Sequence, residues 1–507
     1  MQYRKDFEKP TFFAIVVSEF MQAIFRHIIS ETHPLRMLLL TFGALSIGSI
    51  LLGLATEFYL LLALPMVFLL VYLTIVDFRT VFFLLMACLP LSTELHFDSG
   101  LSTDFPTEPL ILGLMGVYTL YAIRHYERID GRFFRHPISI LIGLHLGWIA
   151  VTTVTSSYPL ISIKFTLAKV WYIVTFYLLA GHLLKEKKDI RQFFVWIMIP
   201  LCFTIITVLI RHAAYGFSFE DVYRVLNPFY RNHVNYACII ALFFPFAWYA
   251  VYWYWDRPKV RYLLIFAIPF LLIATYLSYT RAAYVALLMA AGTYFIIRFR
   301  LMKFVLAGAV IAAIWGMAHL AHHNNYLDYA PQFEKAISHA NFDDLLAATY
   351  QFEDVSTMER VYRWVAGTFM AIDSPWVGFG PGNFYHFYHS YTVNSFRTYV
   401  SDNPEQSSAH NYYLTVALEQ GVIGLLIFVF ICFYALLNAE QIYHRLRSTE
   451  ERTYLMAVTL AFFVILATLL INDLIETDKI GSFFFLLLAM LVNCDLRSQR
   501  LEKTKEV

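Results

Sequence analysis

Repeated apolar runs, each about as long as a bilayer is thick, are the feature that most constrains the fold of this chain. The 507 residues are 59% hydrophobic and only 15% charged, whereas soluble globular domains are about 45–50% apolar and about 25% charged. Apolar runs of 18 or more residues are typical of transmembrane helices, and the alternating segments of a transmembrane barrel are missing from the sequence. The sequence therefore predicts an all-α polytopic membrane protein.

About fourteen runs have the length that a hydrocarbon core of ~30 Å requires. They lie at 35–54, 57–76, 79–95, 108–124, 138–156, 162–184, 191–210, 235–255, 261–279, 282–298, 303–320, 412–437, 453–471 and 480–494. The chain is thereby divided into an N-terminal cytoplasmic or interfacial helix, transmembrane helices 1–11, one long and partly helical loop, transmembrane helices 12–14 and a tail. Their boundaries are 1–34, 35–320, 321–411, 412–495 and 496–507.

Basic residues gather in alternate short loops, such as those at 124–136, 185–191, 256–261 and 298–303. The positive-inside rule assigns these loops and both termini to the cytoplasm, so the long loop faces outward. A net charge of +1 without a basic block gives no sign of a nucleic-acid partner. The five cysteines are scattered without CxxC spacing, and we interpret them as small hydrophobic residues.

Arg281 lies in SYTRAAY, between two apolar runs. An arginine at the centre of a membrane helix costs at least about 2.5–3.5 kcal/mol, so it is expected to reach the interface or a partner. It is either an interfacial anchor or part of an anion site, because a guanidinium at the membrane surface suits bidentate binding of phosphate or pyrophosphate. Arg231 and His233 in FYRNHVNYA are interfacial residues or further parts of that site, and Arg211 is a stop anchor or a third cation there.

The long loop contains an amphipathic helix, predicted from about Ser356 to Ile372, with Arg360 and Arg363 near its apolar face. That face is formed by Val361, Trp364, Val365 and Phe369. GFGPGNF follows at 378–384 and is dense enough in glycine to form a tight turn. It is a weak phosphate-binding signal, because no Lys-Ser/Thr pair follows it and no strand precedes it.

His410 begins the last group of apolar runs, within SSAHN. A lone histidine is usually structural, but a neutral imidazole at the outer interface can also accept a proton near physiological pH. Asn411 or Glu419 could orient it from the same helix. The spacings HxxH and HExxH are missing from the loop, so we predict no metal site there.

Taken in order, SYTRAAY, ERVYRW, DSPWVGFGPGNF and SSAHNYYLTVALEQGVIGLLIF resemble the O-antigen ligase and O-antigen polymerase superfamily. The resemblance covers about Ile265 to Tyr434, and Glu419, Gly421 and Gly424 match its last element. It implies a GT-C-like fold in the bacterial inner membrane, with the active site facing the periplasm. It further implies a metal-independent, inverting glycosyltransferase without a cofactor.

The implied donor is a glycan on undecaprenyl diphosphate, and the implied acceptor is a hydroxyl of lipid A–core, of a growing polysaccharide or of a protein. By this resemblance His410 is the general base or a positioning group, and Arg281 with Arg231 or Arg211 holds the diphosphate. Further candidates for binding the donor or acceptor are Arg360, Arg363, His233, Asn411 and Glu419. The long loop favours a ligase that acts on lipid A–core, since a bulky acceptor needs a platform.

Three alternatives stay open at this point. A polymerase or a protein O-glycan ligase would use the same donor. A flippase or transporter for a lipid-linked sugar would be expected to carry inverted repeats and charges at mid-membrane, whereas the charges here lie at the outer edge and no clear repeat is seen. A structural or sensor protein would leave the arginines and His410 of the loop region unexplained. The sequence is silent on the oligomeric state.

Overall fold

The computed structural model describes residues 34–56, 61, 64–96, 102–329, 355–398, 401–403 and 406–503. The chain divides into two compact units, Met1–Phe78 and Arg79–Val507. The described part of the first unit contains two helices that contact each other, α1 (Pro34–Ala55) and α2 (Leu64–Val76). The interfacial helix predicted for 1–34 lies outside the described residues, apart from its last position.

Long helices form nearly all of the remaining described chain. They are α3 (Phe78–Cys88), α4 (Thr107–Arg124), α5 (Pro137–Val154), α6 (Pro159–Leu183), α7 (Lys187–Ala213), α8 (His233–Trp253), α9 (Pro258–Tyr276), α10 (Arg281–Arg298), α11 (Met302–Ala321), α12 (Val355–Asp373), α13 (Tyr412–Arg445), α14 (Thr449–Thr468) and α15 (Asp478–Lys503). Two short strands, β1 (Thr93–His96) and β2 (Ser102–Phe105), pair antiparallel before α4. Single turns of helix, such as Leu474–Glu476, occur in the connections.

The predicted all-α polytopic membrane fold is confirmed. Among the described residues, ten helices are long and apolar enough to cross a membrane, namely α5–α11 and α13–α15. They coincide with the ten predicted spans from 138–156 onward. The four earlier predicted spans overlap α1–α4, and the total of fourteen stays a prediction, as does the orientation of the termini.

Small side chains bring three helices of the core close together. Alanines on α8 and α10 pack against one another and against Val464 and Ala467 of α14. Small residues at helix contacts allow membrane helices to approach closely. As a result, the first residues of α8 and α10 are neighbours, and the Thr280 hydroxyl donates to the His233 carbonyl at 3.2 Å.

Because consecutive helices run in alternating directions, their connections at 89–106, 155–158, 214–232, 277–280 and 469–477 lie at one end of the second unit. We call this the site end. Hydrogen bonds join several of these connections: the Tyr279 hydroxyl donates to the Phe217 carbonyl at 2.7 Å, and the Lys479 ammonium donates to the Leu89 carbonyl at 2.8 Å. The site end is therefore a continuous structure and not a set of separate loops.

Helix α12 of the long loop agrees in its bounds with the prediction of about Ser356 to Ile372, but its most buried face differs. The stripe that is buried in the core of the loop is Met358, Tyr362, Ala366 and Met370. Phe369, which the predicted face included, is exposed. The buried face lies about one residue away from the predicted one, which turns Arg363 inward.

Candidate active site

A break in α13 determines how the glycine-rich turn is used. Gly421 has φ 71°, which interrupts the helix, and the carbonyls before it need other donors. The Phe379 and Gly380 amides donate to the Leu418 and Glu419 carbonyls, each at 2.9 Å, and the indole of Trp148 donates to the Gln420 carbonyl at 2.8 Å. Unsatisfied carbonyls at membrane depth cost several kcal/mol. The turn thus compensates for the break.

Glu419 is held directly beneath this turn. Its carboxylate accepts from the Gly382 amide at 2.8 Å and from the Phe384 amide at 3.2 Å. A Cβ at Gly378, where φ is 67°, would come within 2.6 Å of the Leu418 carbonyl oxygen, so the close approach requires glycine there. The amides of GFGPGNF are therefore largely used inside the protein, which agrees with its weak signal as a phosphate cradle.

The segment SSAHN is anchored by α12. The Arg363 guanidinium donates to the Ser407 hydroxyl at 2.6 Å and to the Ser408 carbonyl at 3.0 Å. The next side chain, Trp364, donates to the Ala409 carbonyl at 2.9 Å. One turn of α12 therefore determines where His410 lies.

His410 has φ 54°, in the left-handed region that non-glycine residues rarely adopt. Its amide donates to the carboxylate of Asp473 at 3.0 Å, which also accepts from the Ser408 and Thr415 hydroxyls. Such conformations persist only where the surroundings enforce them, and they cluster at functional sites. Asp473 supplies that enforcement from the connection between α14 and α15.

Asn411 caps the helix that His410 precedes. Its side-chain oxygen accepts from the Leu414 amide at 3.0 Å, which is the usual role of an asparagine at the N-cap. Asn411 thus stabilises the start of α13, and Glu419, two turns further along, holds the glycine-rich turn. Their predicted part in binding or in orienting the imidazole stays a prediction.

Five basic side chains come together at the site end, and we call them the basic cluster: Arg281, Arg360, Arg363, His233 and His410. The charge of Arg360 acts on both imidazoles. Arg281 acts on His233 from the first turn of α10, and Arg363 acts on His410 from α12. The cluster therefore joins residues that are far apart in the sequence.

Helix ends add to the positive potential of the basic cluster. His233 and Arg281 are the first residues of α8 and α10, and His410 lies two residues before α13. The start of a helix carries about half a positive charge and presents unpaired amides, so it favours anions. The Nδ1 atom of His233 is buried and has no hydrogen-bond partner within the described residues. The arrangement is suited to a bound anion such as a diphosphate.

The imidazole of His410 is neutral at physiological pH. Burial lowers its pKa to about 3, and the positive charges of Arg360 and Arg363 contribute to the decrease. A neutral imidazole has one nitrogen that can accept a proton. An anion bound to the two arginines would offset their effect and raise the pKa again, so the ring would become a stronger base when the site is filled.

The two other predicted arginines have different partners. Arg231 forms an ion pair with Glu94 of β1, and its side chain is 56% exposed. Arg211 is exposed and donates to the Asn227 carbonyl. Neither contributes to the charges that act on His233 or His410. The structure therefore groups Arg281 with Arg360 and Arg363 rather than with Arg231 and Arg211, and the predicted roles of the latter two are untested.

Asp473 is the residue of this site that sequence reasoning missed. It lies in INDLIETD at 471–478, between two predicted spans, and the sequence motifs assign no role to this segment. The one available signal was its acidic character beside the membrane, and that signal does not indicate which loop the carboxylate contacts.

Taken together, the fold and the site define a polytopic membrane protein with a cationic, histidine-containing site at one end of its helices. Residues 266–429 match the family model described as O-antigen ligase. The match supports the resemblance to the O-antigen ligase superfamily that the motifs predicted, and with it a glycosyltransferase of the ligase or polymerase type. A search of curated proteins found no match.

Proposed function

We propose that the protein transfers a glycan from undecaprenyl diphosphate to an acceptor hydroxyl at the periplasmic face of the bacterial inner membrane. The observation that carries this proposal is the basic cluster beside the starts of α8, α10 and α13. There Arg360 and Arg363 act on a neutral His410, and Arg360 also acts, together with Arg281, on His233. An anionic leaving group and a proton acceptor are the two requirements of such a transfer.

In the proposed reaction the acceptor oxygen attacks the anomeric carbon, and the bond from that carbon to the diphosphate breaks with inversion of configuration. Arg281, Arg360 and Arg363 stabilise the charge that develops on the leaving diphosphate. The acceptor proton passes to the imidazole of His410. The arginines thus perform the electrostatic part that a divalent metal performs in other transferases.

We further propose that the acceptor is lipid A–core, which would make the protein an O-antigen ligase. The long loop supports this, because α12 and the turn of GFGPGNF form a folded platform beside the basic cluster. A polymerase or a protein O-glycan ligase would use the same donor, and the acceptor that is modified in a transfer assay distinguishes them.

The test is transfer in proteoliposomes with a lipid-linked glycan as donor. His410→Gln should lower the rate by about 10²- to 10⁴-fold, as expected for loss of a general base. His389→Gln, at an exposed histidine of the same loop, is the matched control and should leave the rate unchanged. Full transfer by His410→Gln would contradict the assignment of the base.

Arg281→Lys tests the other half of the site. Lysine keeps the charge but loses the planar fork that binds phosphate oxygens in pairs, so donor affinity should fall while the protein stays folded. Donor binding equal to that of the wild type would contradict bidentate binding. Movement of lipid-linked glycan across the bilayer without formation of a glycosidic bond would instead favour a flippase.

A further inference from the structure

A second polar region lies beside the basic cluster. It is a cavity of about 310 Å³, within the range of small-molecule sites of roughly 300–1,000 Å³. We call it the acidic cavity, because four carboxylates and two cations line it: Glu94, Asp104, Glu476, Asp478, Arg231 and Lys479. Lys169, which is not part of the lining, pairs with Glu476 at 2.7 Å. Four carboxylates against three cations still leave an excess of negative charge, which disfavours a diphosphate there.

Asp478 and Lys479 have structural roles in the wall of the cavity. The carboxylate of Asp478 accepts from the Ser92 and Thr107 hydroxyls at 2.7 and 3.3 Å. The ammonium of Lys479 donates to the Ser92 carbonyl at 3.0 Å. These hydrogen bonds join the start of α15 to the segment before β1 and to α4. The charged groups of Asp478 and Lys479 therefore have a role in stabilising the fold.

Asp104 is not explained by folding. It lies directly opposite Glu94 on the paired strands β1 and β2, where like charges destabilise the pair. Arg231 forms an ion pair with Glu94 and also acts on Asp104, which reduces the cost. Within the described residues, the Asp104 carboxylate makes no hydrogen bond. An acceptor that faces a cavity without such a bond suggests a donor that comes from a ligand.

Asn235 provides an independent observation. It lines the cavity and is only 5% exposed, yet its Oδ1 atom has no hydrogen-bond partner within the described residues. An unsatisfied buried amide oxygen costs about 1–3 kcal/mol. Phe229 and Tyr230 complete the lining with aromatic rings. Carboxylates, asparagines and aromatic rings form a lining suited to a polyhydroxylated ring.

We propose that the acidic cavity is a sugar-binding subsite, in which Asp104 and Asn235 bind hydroxyl groups of a neutral or amino sugar. This inference rests on the proposed function, since it assigns the cavity to the glycan that is being transferred or extended. The sugar belongs either to the donor next to its diphosphate or to the acceptor. The excess of carboxylates predicts that the subsite rejects uronic and other acidic sugars.

The position of the cavity agrees with this assignment. Arg231 and Asn235 line it, while His233 between them belongs to the basic cluster. Glu476 lies three residues after Asp473, which positions His410. The cavity and the basic cluster thus share two chain segments, as expected for the sugar and diphosphate parts of one substrate complex.

Binding of lactose, as a neutral disaccharide probe, to the full-length protein in nanodiscs tests the proposal without catalysis. Asp104→Asn and Asn235→Leu should each weaken binding about tenfold, since each loses a hydrogen bond or its charge. Leucine has nearly the shape of asparagine, and removing an unsatisfied polar group should not lower thermal stability. Glu220→Gln, at an exposed carboxylate outside the lining, is the control and should bind like the wild type.

An acidic disaccharide with one uronic acid should bind the wild type more weakly than lactose, and Asp104→Asn should reduce that difference. Unchanged lactose binding in both variants, or lack of binding to the wild type, would overturn the proposal. In transfer assays, a raised KM for the acceptor would assign the subsite to the acceptor sugar, and a raised KM for the donor would assign it to the donor sugar.

His410→Gln separates the two proposals. It should bind lactose like the wild type, because it lies outside the lining of the cavity. If the protein performs no transfer while lactose binding still depends on Asp104 and Asn235, the proposed function fails and the subsite stands.

Discussion

The basic cluster and the acidic cavity lie at the same end of the helices and carry opposite charge. In the basic cluster, three arginines and two histidines meet beside the starts of α8, α10 and α13, where positive potential is already present. In the acidic cavity, four carboxylates outnumber two cations. A substrate with an anionic diphosphate at one end and hydroxyl groups at the other would find a complementary region for each part. In the proposed reaction, the difference in charge would therefore orient the substrate.

The two regions are built from shared segments. His233 and Asn235 are two residues apart in the first turn of α8, and residues at that spacing do not share a face of a helix. The histidine consequently joins the cluster, while the asparagine lines the cavity. In the connection between α14 and α15, Asp473 contacts the His410 segment and Glu476 lines the cavity. Movement of either segment would affect both regions.

The largest expected effect comes from Arg360, which acts on both histidines of the basic cluster. Arg360→Gln should lower kcat/KM for the lipid-linked donor by about 10²- to 10³-fold, the usual result of removing one group that stabilises an oxyanion. Lactose binding in the acidic cavity should not change. Donor titrations in proteoliposomes, with lactose binding measured on the same preparation, check both parts.

Arg397→Gln is the matched control for this experiment. Arg397 belongs to the same loop and pairs with Asp402 in solvent, so its loss should change transfer by less than about threefold. Equal losses in the two variants would attribute the effect to the overall charge of the loop. A parallel loss of lactose binding in Arg360→Gln would contradict the separation of the two regions.

An intermediate effect is expected from Asp473, in the form of pH dependence. Burial raises its pKa to about 6, and Glu476 contributes to the increase. As the pH falls through this value, the protonated carboxyl loses acceptor capacity for the His410 amide and the Ser408 hydroxyl. We expect kcat/KM to fall about tenfold on the acid side, a limb that His410 itself, with a pKa of about 3, cannot produce.

Asp473→Asn should remove this acid limb and give a lower rate at neutral pH. Because the pKa of Asp473 in the folded protein is above its usual value of about 3.9, its protonation favours the folded state. The titration of Asp473 should therefore not lower the thermal stability as the pH falls, although it lowers kcat/KM. Asp104 also has a pKa raised to about 6, chiefly by burial, so Asp104→Asn is measured in parallel. An acid limb that disappears in Asp104→Asn alone would assign it to the acidic cavity.

Sequence patterns predicted the membrane fold and the bounds of α12, and they also gave Arg281 and His410 as candidate site residues. These features depend on composition and on local periodicity, which the chain carries in each segment. The predicted grouping of Arg281 with Arg231 or Arg211 had a weaker basis, since all three were only predicted to lie on one side of the membrane. Residues on the same side of a membrane share a plane, but they can still be far apart within it.

The remaining parts of the site depend on distant contacts. Asp473 reaches His410 across 63 residues of sequence, and the pairing follows from the packing of α13 against α14 and α15. The glycine-rich turn resembles a phosphate-binding loop in composition. Its amides nevertheless donate to carbonyls of α13, which are left without helical partners because Gly421 interrupts that helix. Neither contact leaves a periodic signal in the chain.

Arg211 is expected to give the smallest effect and tests where the basic cluster ends. Its guanidinium is exposed and donates to the Asn227 carbonyl, and an exposed interaction contributes about 0–1 kcal/mol. Arg211→Gln should therefore change donor kcat/KM by less than about threefold, whereas Arg281→Gln, the same substitution inside the cluster, should lower it by about 10²-fold or more. Equal losses of kcat/KM in the two variants would indicate that Arg211 also belongs to the diphosphate site. In that case the positive region would extend along the connection after α7, and opposite charge would no longer separate two neighbouring regions.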